Sequence, residues 1–294
     1  MGPMSMGSCE YPEGGGLICL HDRSLIRATL ETDPALHLYA LGDLDPLFFP
    51  RTQWFGWLEK SGLEFPRIRV LALLYVAFVT PTLLCLVREP EVEAARLLLK
   101  RLRSLLPGTF YAHLTPGLAS SLEFSHTGQF HGRHKRLMLR RQGEVPVGGL
   151  GSRGNGDERE SVIVLTPADL GRVSRLYESS YPGNWFDPDM LSTGHYRGLE
   201  VDADLAAVAG VHVVSKEMSV AALGNITTRP DFRGRGYGRR VTAAVLESCH
   251  GLANRIGLNV QADNHPALTL YERLGFVEEA TYEEGAFTPR QPPG

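Results

Sequence analysis

The stretch Arg233-Gly234-Arg235-Gly236-Tyr237-Gly238 decides the fold of this chain. A run of apolar and β-branched residues, Val220 to Thr228, leads into it, and a helical pattern, Arg239 to His250, follows it. Glycines let the backbone approach an anion closely, and a helix start offers N–H groups without partners and a positive dipole end. Positive charge is added by Arg233, Arg235, Arg239 and Arg240. The sequence therefore predicts a turn between a strand and a helix that binds the diphosphate of a nucleotide-like cofactor.

The motif separates this turn from two other phosphate loops. The dinucleotide fingerprint needs a third glycine where Arg239 stands, and no Gly-Lys-Ser/Thr of the Walker type follows. The remaining pattern, R-x-x-G-x-G, is carried by Arg233, Gly236 and Gly238 and resembles the acyl-CoA loop of the GNAT superfamily of N-acyltransferases. A second stretch, 263–276, resembles the family's region with an Asn at a strand end and a Tyr on the next helix. The two motifs stand in the family's order.

The resemblance implies an α/β (α+β) fold of GNAT-like domains, each with a mixed, mostly antiparallel sheet flanked by helices. It implies acetyl-CoA (coenzyme A) as cofactor, and transfer of an acetyl (acyl) group to a primary amine. The strand before the loop would separate from its neighbour, so that its free edge, about Asn225 to Thr228, pairs with the pantetheine amides. The cofactor-binding residues that the resemblance implies are Ile226, Thr227, Thr228, Arg233, Gly234, Arg235, Gly236, Tyr237, Gly238, Arg239, Asn264 and Tyr271.

Two side chains are candidates for proton transfer. In the resemblance Tyr271 lies near the CoA sulfur as general acid, and a phenol with a pKa of about 10 is protonated at pH 7. Many family members carry a Glu on the strand before the loop, but Ser219 to Ile226 contains no acid. His212, whose ordinary pKa is about 6.5, is the candidate base. Glu200 and Glu217 are weaker candidates, and a water relay or a non-catalytic strand histidine are the alternatives.

Acceptor recognition is assigned to two segments with aromatic and polar side chains. The candidate residues are Tyr181, Asn184, Trp185, Phe186, Tyr282 and Glu283, with Glu284 beside them. The last three would lie in a final strand pair around a turn, where carboxylates attract an ammonium group, and an ordinary solvated turn is the alternative. The aromatic segment Leu47 to Trp57 is predicted to be a packed loop or short helix that covers a sheet, and an aromatic wall of a pocket is the alternative.

Composition excludes several classes of protein. A net charge of −3 gives no general surface for nucleic acid or anionic membranes, and the four cysteines lack metal or disulfide spacing, so no metal is expected. Val70 to Val87 is almost wholly apolar, but Thr80-Pro81-Thr82 interrupts it, which favours two buried strands over a membrane span. No leader is recognised, so a cytoplasmic protein is expected, as a monomer or homodimer.

The order strand, strand, helix, strand, short helix, strand occurs in 69–141 and again in 205–287, which predicts two related domains. The first carries Arg88-Glu89-Pro90-Glu91 where the second has its glycine loop, so it is predicted to be degenerate and unable to bind the cofactor. It would serve as a structural partner or as a wall of the substrate cleft. The expected segments are a loose start at 1–16, a degenerate GNAT-like domain at 17–141, a glycine-rich linker at 142–160, the N-acetyltransferase domain at 161–288 and a tail at 289–294.

Two other functions remain open. A non-catalytic acyl-CoA-binding regulatory module would keep Tyr271 and the separated strand without turnover, and the missing strand acid favours it. A nucleotide-dependent oxidoreductase is the weaker alternative, because the dinucleotide fingerprint is incomplete.

Overall fold

The computed structural model describes residues 15–59, 67–140 and 160–290. Within these residues the chain forms two compact units. The first unit takes 15–32, 51–59, 67–131 and 283–290, and the second takes 33–50, 132–140 and 160–282. The expected linker lies outside the described residues except for its last residue, as do most of the expected loose start and tail.

The strands, in chain order, are β1 (Gly16–Leu20), β2 (Thr52–Glu59), β3 (Arg67–Tyr75), β4 (Thr82–Cys85), β5 (Phe110–Leu114), β6 (His126–Leu139), β7 (Glu160–Leu165), β8 (Tyr196–Val201), β9 (Asp204–Ser215), β10 (Val220–Thr228), β11 (Arg255–Gln261) and β12 (Phe276–Pro289). The α-helices are α1 (Arg23–Leu30), α2 (Leu38–Gly42), α3 (Val92–Leu102), α4 (Leu170–Ser180), α5 (Tyr237–Ser248) and α6 (His265–Arg273).

In the first unit the strand order is β1-β2-β3-β4-β5, followed by the last part of β12. The helix α3 buries one apolar stripe in its core, with Ala95, Leu98, Leu99 and Leu102 at helical spacing. The parallel pair β4 and β5 stays in register along the whole of β4, from Thr82 opposite Tyr111 onward. These two strands therefore remain together where a cofactor arm would need them to separate.

In the second unit the order runs from the first part of β12 through β6, β11, β10, β9, β8 and β7. β10 and β11 are parallel, and the pairs β11–β6, β10–β9, β9–β8 and β8–β7 are antiparallel. The helix α5 buries Val241 and Val245 in the main core. The short helix α2 packs on the sheet, where a Cβ at Gly257 would lie 2.7 Å from the side chain of Leu38.

The predicted fold class is confirmed, and the element order repeats as expected. β3-β4-α3-β5 and β9-β10-α5-β11 share the same order, with an antiparallel pair followed by a parallel one. The compact units differ from the contiguous halves expected from the sequence. Residues His134 to Met138 of β6 pair with β11, and Glu283 to Phe287 of β12 pair with β5. Each unit is therefore completed by a strand from the other half of the chain.

Two local predictions were wrong. The segment Leu47 to Trp57 was expected as a loop or short helix, but its second part forms β2, whose residues Trp54 to Trp57 are all buried. Burial on both faces removes the alternation that marks a strand. The sequence predicted a final pair of strands joined by a turn, but Phe276–Pro289 forms the single strand β12. Gly285, where a turn could have formed, instead lies within the sheet close to the Gln129 backbone.

The apolar stretch Val70 to Val87 forms most of β3 together with β4, as predicted. No helix among the described residues is long and apolar enough to cross a membrane.

Candidate active site

The parallel strands β10 and β11 separate halfway along their length. They are paired from Val220 opposite Arg255 to Leu223 opposite Leu258. Beyond that point β11 pairs with β6 as far as Gln261, while among the described residues β10 pairs only with β9. The facing backbone groups beyond Leu223 and Leu258 are thus left without a ladder partner. This is the separation that the resemblance predicts for the strand before the glycine loop.

A bulge at Asn225 directs β10 away from β11. The pairing of β10 with β9 shifts register between Gly224 and Thr227, and Asn225 has a φ of 55°, a conformation that Asn adopts more readily than most residues. The backbone carbonyl of Asn225 accepts a hydrogen bond of 2.8 Å from the Tyr177 hydroxyl. The side-chain NH₂ group of Asn225 donates a hydrogen bond of 2.9 Å to the Tyr196 hydroxyl. The two buried tyrosines therefore hold the bulge in place.

The glycine loop is shaped to receive an anion. Gly234 and Gly236 have φ of 78° and 81°, and a Cβ at either would meet nothing within 4 Å. Glycine is therefore required there by the backbone conformation rather than by crowding. From Gly234 to Arg239, no backbone N–H donates to a described residue. These groups surround the N-terminus of α5, where an anion is favoured.

The side chains of the loop fall into two groups. Arg233 donates to the Thr228 carbonyl at 3.2 Å, and its side chain stays exposed with those of Arg235 and Arg239. Tyr237, in contrast, is buried, and its hydroxyl donates to the Glu160 carboxylate. That hydrogen bond, with the Arg240 guanidinium, holds the pKa of Glu160 below its ordinary range. Tyr237 can thus offer a ligand only its backbone.

Tyr271 reaches the site from α6. Asn264 caps this helix by accepting a hydrogen bond of 3.2 Å from the Ala267 N–H, which leaves its NH₂ group for a ligand. The Tyr271 ring is 6% exposed, and no described residue forms a hydrogen bond with its hydroxyl. Burial raises the pKa of Tyr271, and the phenols of Tyr181 and Tyr39 raise it further. The hydroxyl is therefore protonated at neutral pH.

His212 lies beside the point where the strands separate. A Cβ at Gly224 would come within 2.3 Å of the His212 Nε2 atom, so the imidazole covers this glycine. Of the weaker base candidates, Glu200 on β8 forms an ion pair with Arg172 of α4, and Glu217 lies in the turn before β10. The structure thus brings His212 to the opening and places neither glutamate there.

The loop after α4 holds itself together with its own polar groups. Asn184 donates to the Tyr181 carbonyl at 2.7 Å and accepts from the Phe186 N–H at 2.9 Å. The Phe186 ring packs on Tyr177, with 5.0 Å between ring centroids. Asn184 and Phe186 therefore build the loop, while the rings of Tyr181 and Trp185 remain 43% and 39% exposed.

The three candidates on β12 do not form a solvated turn. Tyr282 is fully buried in the second unit, with its ring 5.6 Å from that of His134. Glu283 belongs to the first unit and lies opposite Leu114 in the sheet. The buried Glu284 carboxylate accepts a hydrogen bond of 2.8 Å from the Tyr111 hydroxyl. The expectation of an exposed acidic turn here was wrong, because both glutamates lie within a strand.

Comparisons with known proteins agree with this geometry. Residues 166–276 match the acetyltransferase (GNAT) family. A ribosomal protein bS18-alanine N-acetyltransferase of Salmonella typhimurium is 30% identical over 45% of this chain and 89% of its own length. The chain belongs to the GNAT acetyltransferase family. A mycothiol acetyltransferase of Mycobacteroides abscessus is 32% identical over 40% of this chain, but over only 36% of its own length.

The tandem arrangement also has a structural counterpart. A tandem GNAT protein from the clavulanic acid biosynthesis pathway aligns with 95% of this chain and all of its own, with a TM-score of 0.55 and 17% identity. At that identity the likeness concerns the fold alone. In this GNAT protein β10 carries no acidic side chain, and the imidazole of His212 lies against Gly224 at the opening.

Sequence reasoning missed several residues that the structure of this GNAT protein brings near the opening. The Tyr39 hydroxyl lies 3.5 Å from the Leu223 carbonyl oxygen, although 184 positions separate the two residues. Arg136 is 1% exposed and donates to the Leu36 carbonyl and, at 2.9 Å, to Asn259. Only long-range packing unites these residues, and no local pattern marks them in the sequence.

Proposed function

We propose that this chain is an acyl-CoA-dependent N-acetyltransferase that moves an acetyl group from acetyl-CoA to a primary amine. The observation that carries this proposal is the separation of β10 from β11 beside the N–H groups of Gly234 to Arg239, which donate to no residue that the structure describes. CoA presents a diphosphate at one end and a thioester at the other, joined by an arm with two amides. A glycine loop next to an open strand edge matches that order of chemical groups.

The residues would hold the cofactor in three places. The edge from Ile226 to Thr228 would pair with the amides of the arm, because it lacks a partner on the β11 side. The N–H groups of the glycine loop would bind the diphosphate, with the exposed Arg233, Arg235 and Arg239 adding charge. The free amide group of Asn264 would support the arm at the start of α6.

In the reaction a C–N bond forms as the amine attacks the thioester carbonyl, and the C–S bond breaks. The proton that leaves the nitrogen would pass to His212, directly or through water, and the Tyr271 hydroxyl would donate to the departing sulfur. The raised pKa of Tyr271 keeps the phenol protonated, so its hydroxyl can donate a hydrogen bond to the sulfur as negative charge develops there. The assignment of His212 as the base is part of this proposal.

The acceptor is proposed to be an amine of a small molecule or peptide. The Salmonella relative acts on an alanine of ribosomal protein bS18, and the Mycobacteroides relative is a mycothiol acetyltransferase, so the family accepts both kinds. In the loop after α4, the exposed rings of Tyr181 and Trp185 would contact such an acceptor.

The experiment is a screen for thiol release from acetyl-CoA with a panel of amines that includes a peptide starting with alanine. The Tyr271→Phe variant keeps the ring and loses only the proton donor. We expect kcat to fall about 100-fold or more, with the dissociation constant for CoA within about twofold of the wild type. If CoA binds but no amine gives thiol release faster than the hydrolysis of acetyl-CoA by water, the chain is a binding module and the proposal is wrong.

A further inference from the structure

The sheet of the second unit carries different chemistry on its two faces. Leu258 and Val260 on β11 share the apolar core of α5 with Tyr271. Gly257 points the other way, toward Leu38 of α2. Because successive side chains alternate between faces, Asn259 lies on the α2 face with Gly257. Tyr271 therefore belongs to one face of the sheet and α2 to the other.

The α2 face holds a buried cation enclosed by polar and aromatic groups. Arg136 lies opposite Asn259 in the ladder and donates to its side-chain oxygen at 2.9 Å. The guanidinium also donates to the Leu36 carbonyl, just before α2. It lies 4.7 Å from the centroid of the Tyr39 ring and 5.8 Å from that of Tyr282. Cation–π attraction thus holds the Tyr39 ring in place.

Tyr39 stands at the opening between the strands. Its hydroxyl lies 3.5 Å from the carbonyl oxygen of Leu223, the last residue of β10 that pairs with β11. Its ring centroid is 6.3 Å from that of His212, which covers Gly224, the first residue beyond the pairing. The Tyr39 phenol is also close enough to Tyr271 to raise its pKa. Tyr39 is therefore near both candidate catalytic groups.

We propose that Tyr39 forms the acceptor-side wall of the opening and determines which amines reach the thioester. This inference rests on the proposed acetyl-CoA chemistry. With Tyr271 and α6 on one face and the cofactor arm between β10 and β11, the amine approaches from the α2 face. The half-buried Tyr39 ring then contacts the carbon substituent of the amine, and primary amines with an apolar or aromatic substituent fit it best. A helix outside the matched segment 166–276 thus sets acceptor choice.

The test uses a CoA derivative that carries an acceptor mimic and needs no turnover. Its sulfur bears a CH₂–CO–NH–benzyl arm, and plain CoA is the reference ligand. Calorimetry with the full chain gives both dissociation constants. In the wild type we expect the arm to tighten binding at least tenfold. In Tyr39→Ala that gain should disappear while the affinity for plain CoA stays within twofold, and Tyr39→Phe, which keeps the ring, should retain the gain.

Control variants separate a local effect from a general one. Tyr75→Ala removes a half-buried tyrosine from β3 of the first unit and should leave both constants unchanged. Tyr39→Leu replaces the alanine variant if the latter does not unfold cooperatively. The inference is overturned if the arm adds no affinity to the wild type, or if Tyr39→Ala keeps the gain. A loss of plain CoA binding in Tyr39→Ala also overturns it, since the residue then supports the cofactor. A wild type that binds no CoA contradicts the proposed function itself, and the inference falls with it.

Discussion

The surrounding protein partly shields the Asp43 carboxyl group from water, so its negative charge is poorly solvated. The residue follows Tyr39 by one helical turn, and its N–H donates to the Tyr39 carbonyl at 2.9 Å. Desolvation by the surrounding protein raises the pKa of Asp43 from 3.8 to about 7. Such a group disfavours the folded state when it is ionised.

We predict that Asp43→Asn stabilises the protein above pH 7 and has little effect at pH 4. Between pH 3.8 and 7 the folded state binds more protons than the unfolded state, so the wild type loses stability as the pH rises. The full pKa shift would change the free energy of unfolding by at most about 4 kcal/mol. Because the side chain is only half-buried, we expect Asp43→Asn to raise the free energy of unfolding by about 1–2 kcal/mol. Urea unfolding at the two pH values measures it, and an equal effect at both would contradict the assignment.

On the scale of single elements, the bend of β10 depends on polar contacts from α4 and β8. The Tyr177 and Tyr196 hydroxyls satisfy the backbone and side chain of Asn225, which is 4% exposed. Without these contacts the left-handed residue would have no compensation for its strain. The element that opens the sheet is therefore held by residues from two other elements.

We predict that Tyr177→Phe lowers the free energy of unfolding by about 1–2 kcal/mol. The substitution removes only the hydroxyl and leaves the buried Asn225 carbonyl without its donor. The midpoint of urea unfolding at neutral pH measures the loss. A midpoint equal to that of the wild type would show that this hydrogen bond does not hold the bulge.

Much of the second unit could be predicted from local sequence, and the reasons are physical. The glycine loop, α5, and α6 with its Asn264 cap carry strong signals within a few residues. The first part of β6 could not be recognised in the sequence, because the polar run from His126 has no apolar alternation. Tyr39 could not be assigned to the site, since its partners Leu223 and His212 are distant in sequence.

On the scale of the whole molecule, both units depend on chain from outside their own half. The second unit takes α2 from the segment 33–50 and the end of β6 from 132–140. β11 pairs with β6 from Gly257 to Gln261, and Leu38 of α2 is fully buried. A fragment cut at the glycine-rich segment would lose both elements, even though it contains the whole matched segment 166–276.

We predict that the fragment 160–290 does not unfold cooperatively on its own. It would expose the edge of β11 and the apolar surface that α2 covers, which are liabilities for solubility and stability. Differential scanning calorimetry of the fragment and of the full chain provides the comparison. A sharp transition in the fragment, together with CoA binding, would show that α2 and β6 are dispensable.

The measurement that tests the central claim most directly is the affinity for CoA of a Gly236→Ala variant. Gly236 has a φ of 81° and open surroundings, so alanine strains the backbone that presents the loop N–H groups. Gly251→Ala is the matched control, because Gly251 has a φ of 75°, equally open surroundings and a position outside the loop. Each N–H to phosphate hydrogen bond contributes about 1.5–3 kcal/mol. Calorimetry should therefore show that Gly236→Ala binds CoA at least about tenfold more weakly than the wild type, whereas Gly251→Ala keeps the wild-type affinity. Equal affinity of both folded variants would contradict the assignment of this loop as the diphosphate site.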